Sequence, residues 1–395
     1  MPERLSIHEY GGVPQRLFLV APFAMLTDHM PHGDGLVAFG FIRELAARGH
    51  DLHVAAQRVD LTEQLPENVR LHVLGESRAP APLDRLTFMR RLRRLYRSLE
   101  AERPFDVAHQ LNPVDVGLSL ALAGARAPLV LGPYVPDWPG YPKPGGQLAR
   151  PVVLRVNRAI AGAQQRRATT ALLSTPAAAS RLAAPIHTRE LPHGIDASAW
   201  VPGEASGGLD VLFLANLEVR KGIHVLLDAF PRLVGRLPEA RLLIAGGGPE
   251  LGAVRERIAG SPDLERVELL GHVPRERVMA TMQAAAVYCL PSDEEPFGMT
   301  ALEAMACAKP VVGTDTGGLA YLVTDQGGRS VRPRDPEALA DALFALLADA
   351  ELRRAMGAHN RHLVEESYAW PRVVDRLEDA YREAMRIGAG SVGAR

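Results

Sequence analysis

The stretch SDEEPFGMTALEAMACAKPVVGTDTGG, residues 292–318, decides how this chain reads. It places two carboxylates, Glu295 and Glu303, eight positions apart, with a Pro-Phe-Gly turn between them. Pro296 and Gly298 end the apolar run that precedes them. Met299, Leu302 and Met305 then recur at helical spacing, so a helix begins near Phe297 or Gly298. The first N–H groups of a helix have no partner within it and form the positive end of its dipole. A phosphate or a set of sugar hydroxyls is a natural guest there. Glu303, about a turn and a half into the helix, is placed to accept hydrogen bonds from a ribose diol. Glu295 lies just before the helix. Acids near helix N-termini also occur for stability alone, so a solvated helix face is the alternative reading.

Working outward, two segments share one plan. Residues 16–23 (RLFLVAPF) form a strand-length apolar run, followed by the glycine-bearing loop PHGDG (31–35), a helical pattern, and the strand DLHVAA (51–56). Residues 210–216 (DVLFLAN) lead through LEVRKG into the amphipathic IHVLLDAFPRLVGRL and the strand ARLLIAGGG (240–248). Strand, loop, helix, strand, twice over, is the pattern of parallel α/β units, whose ligands bind at the C-terminal ends of the strands. Further strands are expected at 105–110, 127–134 and 170–176 in the first half, and at 266–273, 285–292 and 309–315 in the second. The Pro- and Gly-bearing segment 189–208 reads as the join, residues beyond Asp335 as helical, and 387–395 as a frayed tail. The pattern predicts two Rossmann-like halves facing each other across a cleft.

The whole chain sets bounds. Its 395 residues exceed one ordinary core. A net charge of −1 argues against a nucleic-acid partner. Cys289 and Cys307 are too few for a disulfide framework and lie in apolar surroundings, so they read as reduced and buried, which suits a cytoplasmic setting. The N-terminus shows no signal-peptide core, and no apolar run is long enough to span a membrane. Only three of the 45 basic residues are lysines, Lys143, Lys221 and Lys309, which makes each of them informative. No D-x-D occurs, so no metal is expected, and no cofactor is implied.

The stretch LPSDEEPFGMTALEAMACAKPVVGTDTGGL, with its E-x7-E from Glu295 to Glu303, resembles the signature of retaining GT-B glycosyltransferases of family 4, also called glycosyl transferases group 1. LPHGID (191–196) is similar to that family's interdomain turn P-N-G-V-D. ANLEVRKGIHVLLDAF is similar to its G-R-L-x-x-x-K-G helix, and LLIAGGGPE and ELLGHVP to its next strand and base-binding loop. The resemblance is strong over about 190–385 and weaker before that. It implies an N-terminal acceptor domain, 1–190, completed by a C-terminal helix crossing back at 370–390, and a nucleotide-sugar domain, 191–369. The implied activity is hexosyl transfer from a nucleoside diphosphate sugar, most often of UDP, to a hydroxyl-bearing acceptor.

Carried over residue by residue, the resemblance assigns Glu303 to the donor ribose and Glu295 to the transferred sugar. The backbone of Phe297, Gly298, Met299 and Thr300 falls to the sugar and diphosphate. Gly33 and Gly35 would approach the diphosphate from the other domain, with Gly246 and Val273 completing the donor site. Lys221 would neutralise the leaving diphosphate, as a fixed cation does for developing negative charge. Three departures stand out. The family arginine is Asn216 here, and Arg220 is the candidate substitute. The glycine before the K-P-V-V strand is Ala308, a small change expected to be tolerated. Gly132, Pro133 and Tyr134 occupy the turn where many relatives hold a histidine. His109 reads either as a cleft residue or as a satisfied structural histidine. Asn112, Tyr134, Asp137 and Trp138 are the acceptor-side candidates.

Within residues 83–104, Arg85, Arg90, Arg91, Arg93, Arg94 and Arg97 share a helix with an apolar stripe, which reads either as core packing or as peripheral contact with an anionic membrane. A catalytically silent sugar-nucleotide-binding subunit and a GT-B epimerase are the rival functions. A phosphorylase is disfavoured, because the few lysines lie in the wrong contexts for pyridoxal phosphate.

Overall fold

The structure, a computed structural model, describes residues 13–21, 25–29, 33–76, 81–111, 114–136, 150–203 and 207–392. The chain divides into two compact units, one of residues 1–135, 141–194 and 373–395, the other of 136–140 and 195–372.

In the first unit the strands are β1 (Arg16–Val20), β2 (Leu26–Thr27), β3 (Asp51–Ala56), β4 (Val59–Asp60), β5 (Val69–Val73), β6 (Val107–Gln110), β7 (Leu129–Tyr134), β8 (Thr170–Leu173) and β9 (His187–Glu190). Seven of them form one parallel sheet in the order β5-β3-β1-β6-β7-β8-β9, and β2 pairs with β4. The helices are α1 (Gly33–Ala47), α2 (Ala81–Glu102) and α3 (Arg150–Gln165). β1, β6 and β8 are buried along their whole length, as strands covered on both faces must be. The edge strand β9 is exposed and wholly polar, and β5 at the other edge is part-exposed with Arg70 and His72 between its apolar residues, which blunts both sheet edges.

The second unit has β10 (Asp210–Leu214), β11 (Arg241–Ala245), β12 (Val267–Gly271), β13 (Val287–Leu290), β14 (Val311–Thr314) and β15 (Gly328–Val331), in the parallel order β12-β11-β10-β13-β14-β15. Read by sequence this is 3-2-1-4-5-6, the dinucleotide-fold order, with the direction of winding reversing between β10 and β13. Its helices are α4 (Ile223–Val234), α5 (Leu251–Ala259), α6 (Arg275–Ala284), α7 (Met299–Ala306), the single turn α8 (Leu319–Leu322), α9 (Pro336–Leu347) and α10 (Ala350–Leu363). Asp335 and Asp349 cap α9 and α10, their side chains accepting from Ala338 N and Leu352 N at 2.9 Å each. Both cysteines are buried and unpaired in this core.

The last helix, α11 (Trp370–Val392), begins in the second unit and belongs to the first from Val373 onward. Its apolar face, Val373, Val374, Leu377 and Tyr381, is buried. Within the first unit Arg48 bonds Asp375 at 2.8 Å and Glu378 at 3.0 Å, while His50 meets Glu378 at 2.9 Å. The helix passes through Gly388 and Gly390 and ends at Val392, where the sequence suggests a frayed tail.

Three further differences have physical reasons. β5, β9 and β15 escape the sequence pattern because they are short and partly exposed, so that β9 and β15 carry mostly polar residues or glycine and β5 only alternates. The apolar stripe of α2 is used mainly in packing: Phe88, Leu92 and Tyr96 are buried in the core of the first unit, with Met89, Leu95 and Leu99 partly buried against it. Burying Phe88 and Leu92 contributes about 1.5–3 kcal/mol each, whereas Leu83 and Leu86 stay exposed. Gly132, Pro133 and Tyr134 form the end of β7 rather than a turn.

Ala308 follows α7 in the left-handed region, with φ of 57°. Its N–H donates to Met305 O and that of Lys309 to Ala304 O, both at 3.0 Å, which is the helix-ending arrangement that favours glycine at this position. Ala308→Gly is therefore expected to stabilise the protein by about 0.5–1 kcal/mol in denaturant unfolding, less strain outweighing added chain freedom. Destabilisation would contradict this account of the departure.

Candidate functional site

In the second unit the loops after β10 and β13 leave the sheet side by side, at the point where the strand order reverses. The β10 loop runs through a short turn, Val219–Lys221, to Gly222, which has φ of 75°. A Cβ on Gly222 would lie 1.9 Å from the carbonyl oxygen of Pro291, so only glycine lets the two loops touch. The β13 loop carries Ser292 to Gly298 and ends at α7, with Gly298 as the left-handed cap.

Main-chain bonds from three sides hold the β13 loop. Asp293 N and Ser292 Oγ donate to the Arg220 carbonyl at 2.8 and 2.9 Å. Thr314 Oγ1, at the end of β14, donates to Ser292 O at 2.5 Å. Gly318 N donates to Glu295 O at 2.8 Å, and a Cβ on Gly318 would lie 2.3 Å from the Phe297 main chain. That close approach explains the last glycine of the opening stretch. Arg334 adds an ion pair to Asp293 at 2.7 Å.

On this fixed loop, Lys221 Nζ lies 2.5 Å from Glu295 Oε2, with side chains 12% and 8% exposed. Arg220 donates from Nε to Glu218 Oε2 at 2.6 Å and from Nη1 to Glu294 O at 3.1 Å. Asn216 Nδ2 donates to the other oxygen of Glu218 at 2.5 Å. Burial works against the Glu218 charge, but the Asn216 hydrogen bond and Arg220 hold its carboxyl below the usual range.

Glu303 lies within α7, partly buried. Burial pushes its carboxyl up to about 7, and the more distant charge of Arg275 only partly opposes this. Tyr288, buried in β13, has its hydroxyl 3.0 Å from Leu214 O and 2.7 Å from Thr300 Oγ1. Thr300 therefore spends its side chain inward, on the first turn of α7. The Phe297 ring is likewise buried, edge-on to Tyr368. Gly246 follows β11 with φ of 136°, packed against the Ala215 carbonyl, and Val273 is partly buried beyond β12. Arginine and lysine facing carboxylates before a helix N-terminus make a site able to exchange its internal ion pairs for a phosphorylated ligand.

The first-unit candidates fare differently. Gly33 and Gly35 lie in the first turn of α1 rather than in a loop. Gly35 is explained by packing, since a Cβ there would lie 2.7 Å from Met25 O. His109 is the satisfied structural histidine of the two readings. It is fully buried, with Nδ1 2.7 Å from the Tyr381 hydroxyl and Nε2 3.0 Å from Gly132 O, and desolvation lowers its pKa to about 4. A neutral ring with both nitrogens engaged has no free position for catalysis. Tyr134 is buried in the first unit's core, which removes it from the exposed acceptor candidates. Asn112, Asp137, Trp138 and Lys143 lie outside the described residues. A groove in the first unit, between β9 and α11, is lined by Leu173, Arg189, Arg376 and Met385 among others, and holds none of the candidates.

Glu218, Thr314, Thr316 and Arg334 were not singled out from sequence. The signal for Glu218 was its place two residues before Arg220. For the threonines it was the T-x-T in GTDTGG, since Thr316 Oγ1 also reaches Asp293 O at 3.3 Å.

The Glu303 shift has a definite sign. The folded protein binds this proton more tightly than the unfolded chain, whose carboxyl titrates near 4.5. Stability from this group is full below about 4.5 and is lost as pH rises through about 7. Between pH 5 and 8 the unliganded wild type should lose stability relative to Glu303→Gln in parallel denaturant titrations. Parallel curves would contradict the shift.

Comparisons with known proteins follow the same division. The family model described as glycosyl transferases group 1 matches residues 195–363, and that of a glycosyl transferase 4-like domain matches residues 35–190. The chain is 30% identical over 391 residues to the phosphatidyl-myo-inositol mannosyltransferase of Mycolicibacterium smegmatis, covering 94% of this chain and 95% of that one. It is 34% identical over 201 residues to the glycogen synthase of Mycobacterium tuberculosis, 49% of this chain and 48% of that protein, so this match spans about half of that relative's length. Among solved structures, HepE of Anabaena in complex with UDP superposes with a TM-score of 0.73 at 18% identity, over 93% of this chain and 100% of that one. At that identity the likeness shows the fold alone, a two-sheet parallel α/β arrangement of the GT-B kind.

Proposed function

The chain belongs to the group 1 family of glycosyltransferases, and on that footing we propose that it moves a sugar from a nucleoside diphosphate to an acceptor hydroxyl with retention of anomeric configuration. The observation that carries this reading is the Lys221–Glu295 pair on the braced loop before α7. In the proposed reaction the bond between the anomeric carbon and the leaving phosphate oxygen breaks, and the acceptor oxygen bonds to that carbon on the same face. The acceptor proton passes to the departing phosphate. Negative charge builds on the diphosphate, and Lys221, aided by Arg220 and the N-terminal amides of α7, stabilises it. Glu295, released from Lys221, accepts from a hydroxyl of the transferred sugar. Glu303 accepts from the ribose.

UDP is the proposed base carrier, supported by its frequency in the family and by the UDP bound in HepE. The hydroxyl-bearing acceptor is left at the level of its class. The relative matched from end to end is named for an inositol phospholipid, which supports a polyol-type hydroxyl.

A thermal-shift screen with UDP, GDP, ADP and dTDP sugars tests the donor site. One nucleotide sugar should raise the melting temperature, a ligand at 100 times its Kd adding about 2.7 kcal/mol, and Glu303→Ala should abolish the shift. Absence of any shift in the wild type would contradict the proposal and favour a catalytically silent subunit.

A further inference from the structure

Resting on the donor-site reading, we propose that Glu218 is a positioning residue that holds Arg220 where it replaces the cation missing at Asn216. The family resemblance expects arginine at position 216, and asparagine brings no charge. The carboxylate of Glu218 engages both side chains, taking Asn216 Nδ2 on one oxygen at 2.5 Å and Arg220 Nε on the other at 2.6 Å. Arg220 Nη1 then meets Glu294 O at 3.1 Å. Neighbouring residues in a chain need not point the same way, yet here both side chains reach one loop: Arg220 at Glu294, Lys221 at Glu295.

The geometry has a chemical consequence. A leaving diphosphate spreads its charge over two phosphates, and two anchored cations against consecutive residues of one loop match that spread better than Lys221 alone. Arginine loses less freedom per hydrogen bond when its planar fork is already held, and Glu218 and the Glu294 carbonyl hold it at two points. Asn216 in turn fixes Glu218, so the departure at 216 is part of the replacement rather than a defect. The competing role for Glu218 is to neutralise Arg220 and weaken its pull on anions. The two roles give opposite results.

The test measures, by calorimetry on the full chain, how much more tightly a nucleoside diphosphate binds than its monophosphate, using UDP and UMP, GDP and GMP, and ADP and AMP. Arg220→Gln and Glu218→Ala should each cut the diphosphate preference about tenfold, while monophosphate affinity and melting temperature hold. Adding Asn216→Arg to Arg220→Gln should restore the preference. A merely structural role for Glu218 would weaken both nucleotides together and overturn the inference. So would an unchanged or increased preference in Glu218→Ala, which would mark it as a neutraliser. If the wild type binds none of these nucleotides, the donor-site reading falls and takes this inference with it; intact wild-type preference with unaffected variants overturns this inference alone.

Discussion

The contact between Lys221 and Glu295 organises this site. Two opposite charges with little access to water hold each other 2.5 Å apart, and each would be costly to leave unpaired there. Neither residue reaches that position alone. Lys221 depends on the turn after β10 and on Gly222, which lets the Pro291 carbonyl approach. Glu295 depends on a loop fixed by the Arg220 carbonyl, Thr314 and Gly318. The sheet order explains why these partners meet, since β10 and β13 are neighbours on either side of the reversal.

The same region is arranged as compensated charges. Lys221 faces Glu295, Arg220 faces Glu218, Arg334 faces Asp293, and burial pushes the carboxyl of Glu303 up to about 7, so that it is about half protonated near neutral pH. A site built this way can hold its cations in fixed positions before any phosphate arrives, at no cost in uncompensated buried charge. A ligand that brings its own negative charge and hydroxyl groups offers each member a new partner. That exchange links the stability of the empty site to its proposed chemistry.

Much of this was legible in the sequence, and the reasons differ by element. The buried strands declared themselves because parallel strands covered on both faces are apolar throughout, as in RLFLV and VYCL. The E-x7-E stretch and Lys221 were legible because glycine, proline and a rare lysine punctuate them. Edge strand β9 was not, since exposure lets it carry the polar HTRE that mimics a loop, and β5 offers only a five-residue alternation, VRLHV. His109 and Tyr134 could not be placed from sequence, because a polar side chain in a strand reads the same whether its partner is a ligand or, as for His109, a tyrosine 272 positions away. Glu218 escaped for a related reason. Its role lies in joining Asn216 to Arg220, and only the geometry of the turn reveals that.

The central claim is that Lys221 and Glu295 act as one unit in turnover. The most direct measurement is a double-mutant cycle on kcat/KM with Lys221→Ala, Glu295→Ala and the double variant, using the donor that binds. The account predicts strong non-additivity, with the double variant little worse than the poorer single one. Losses that simply add would contradict it.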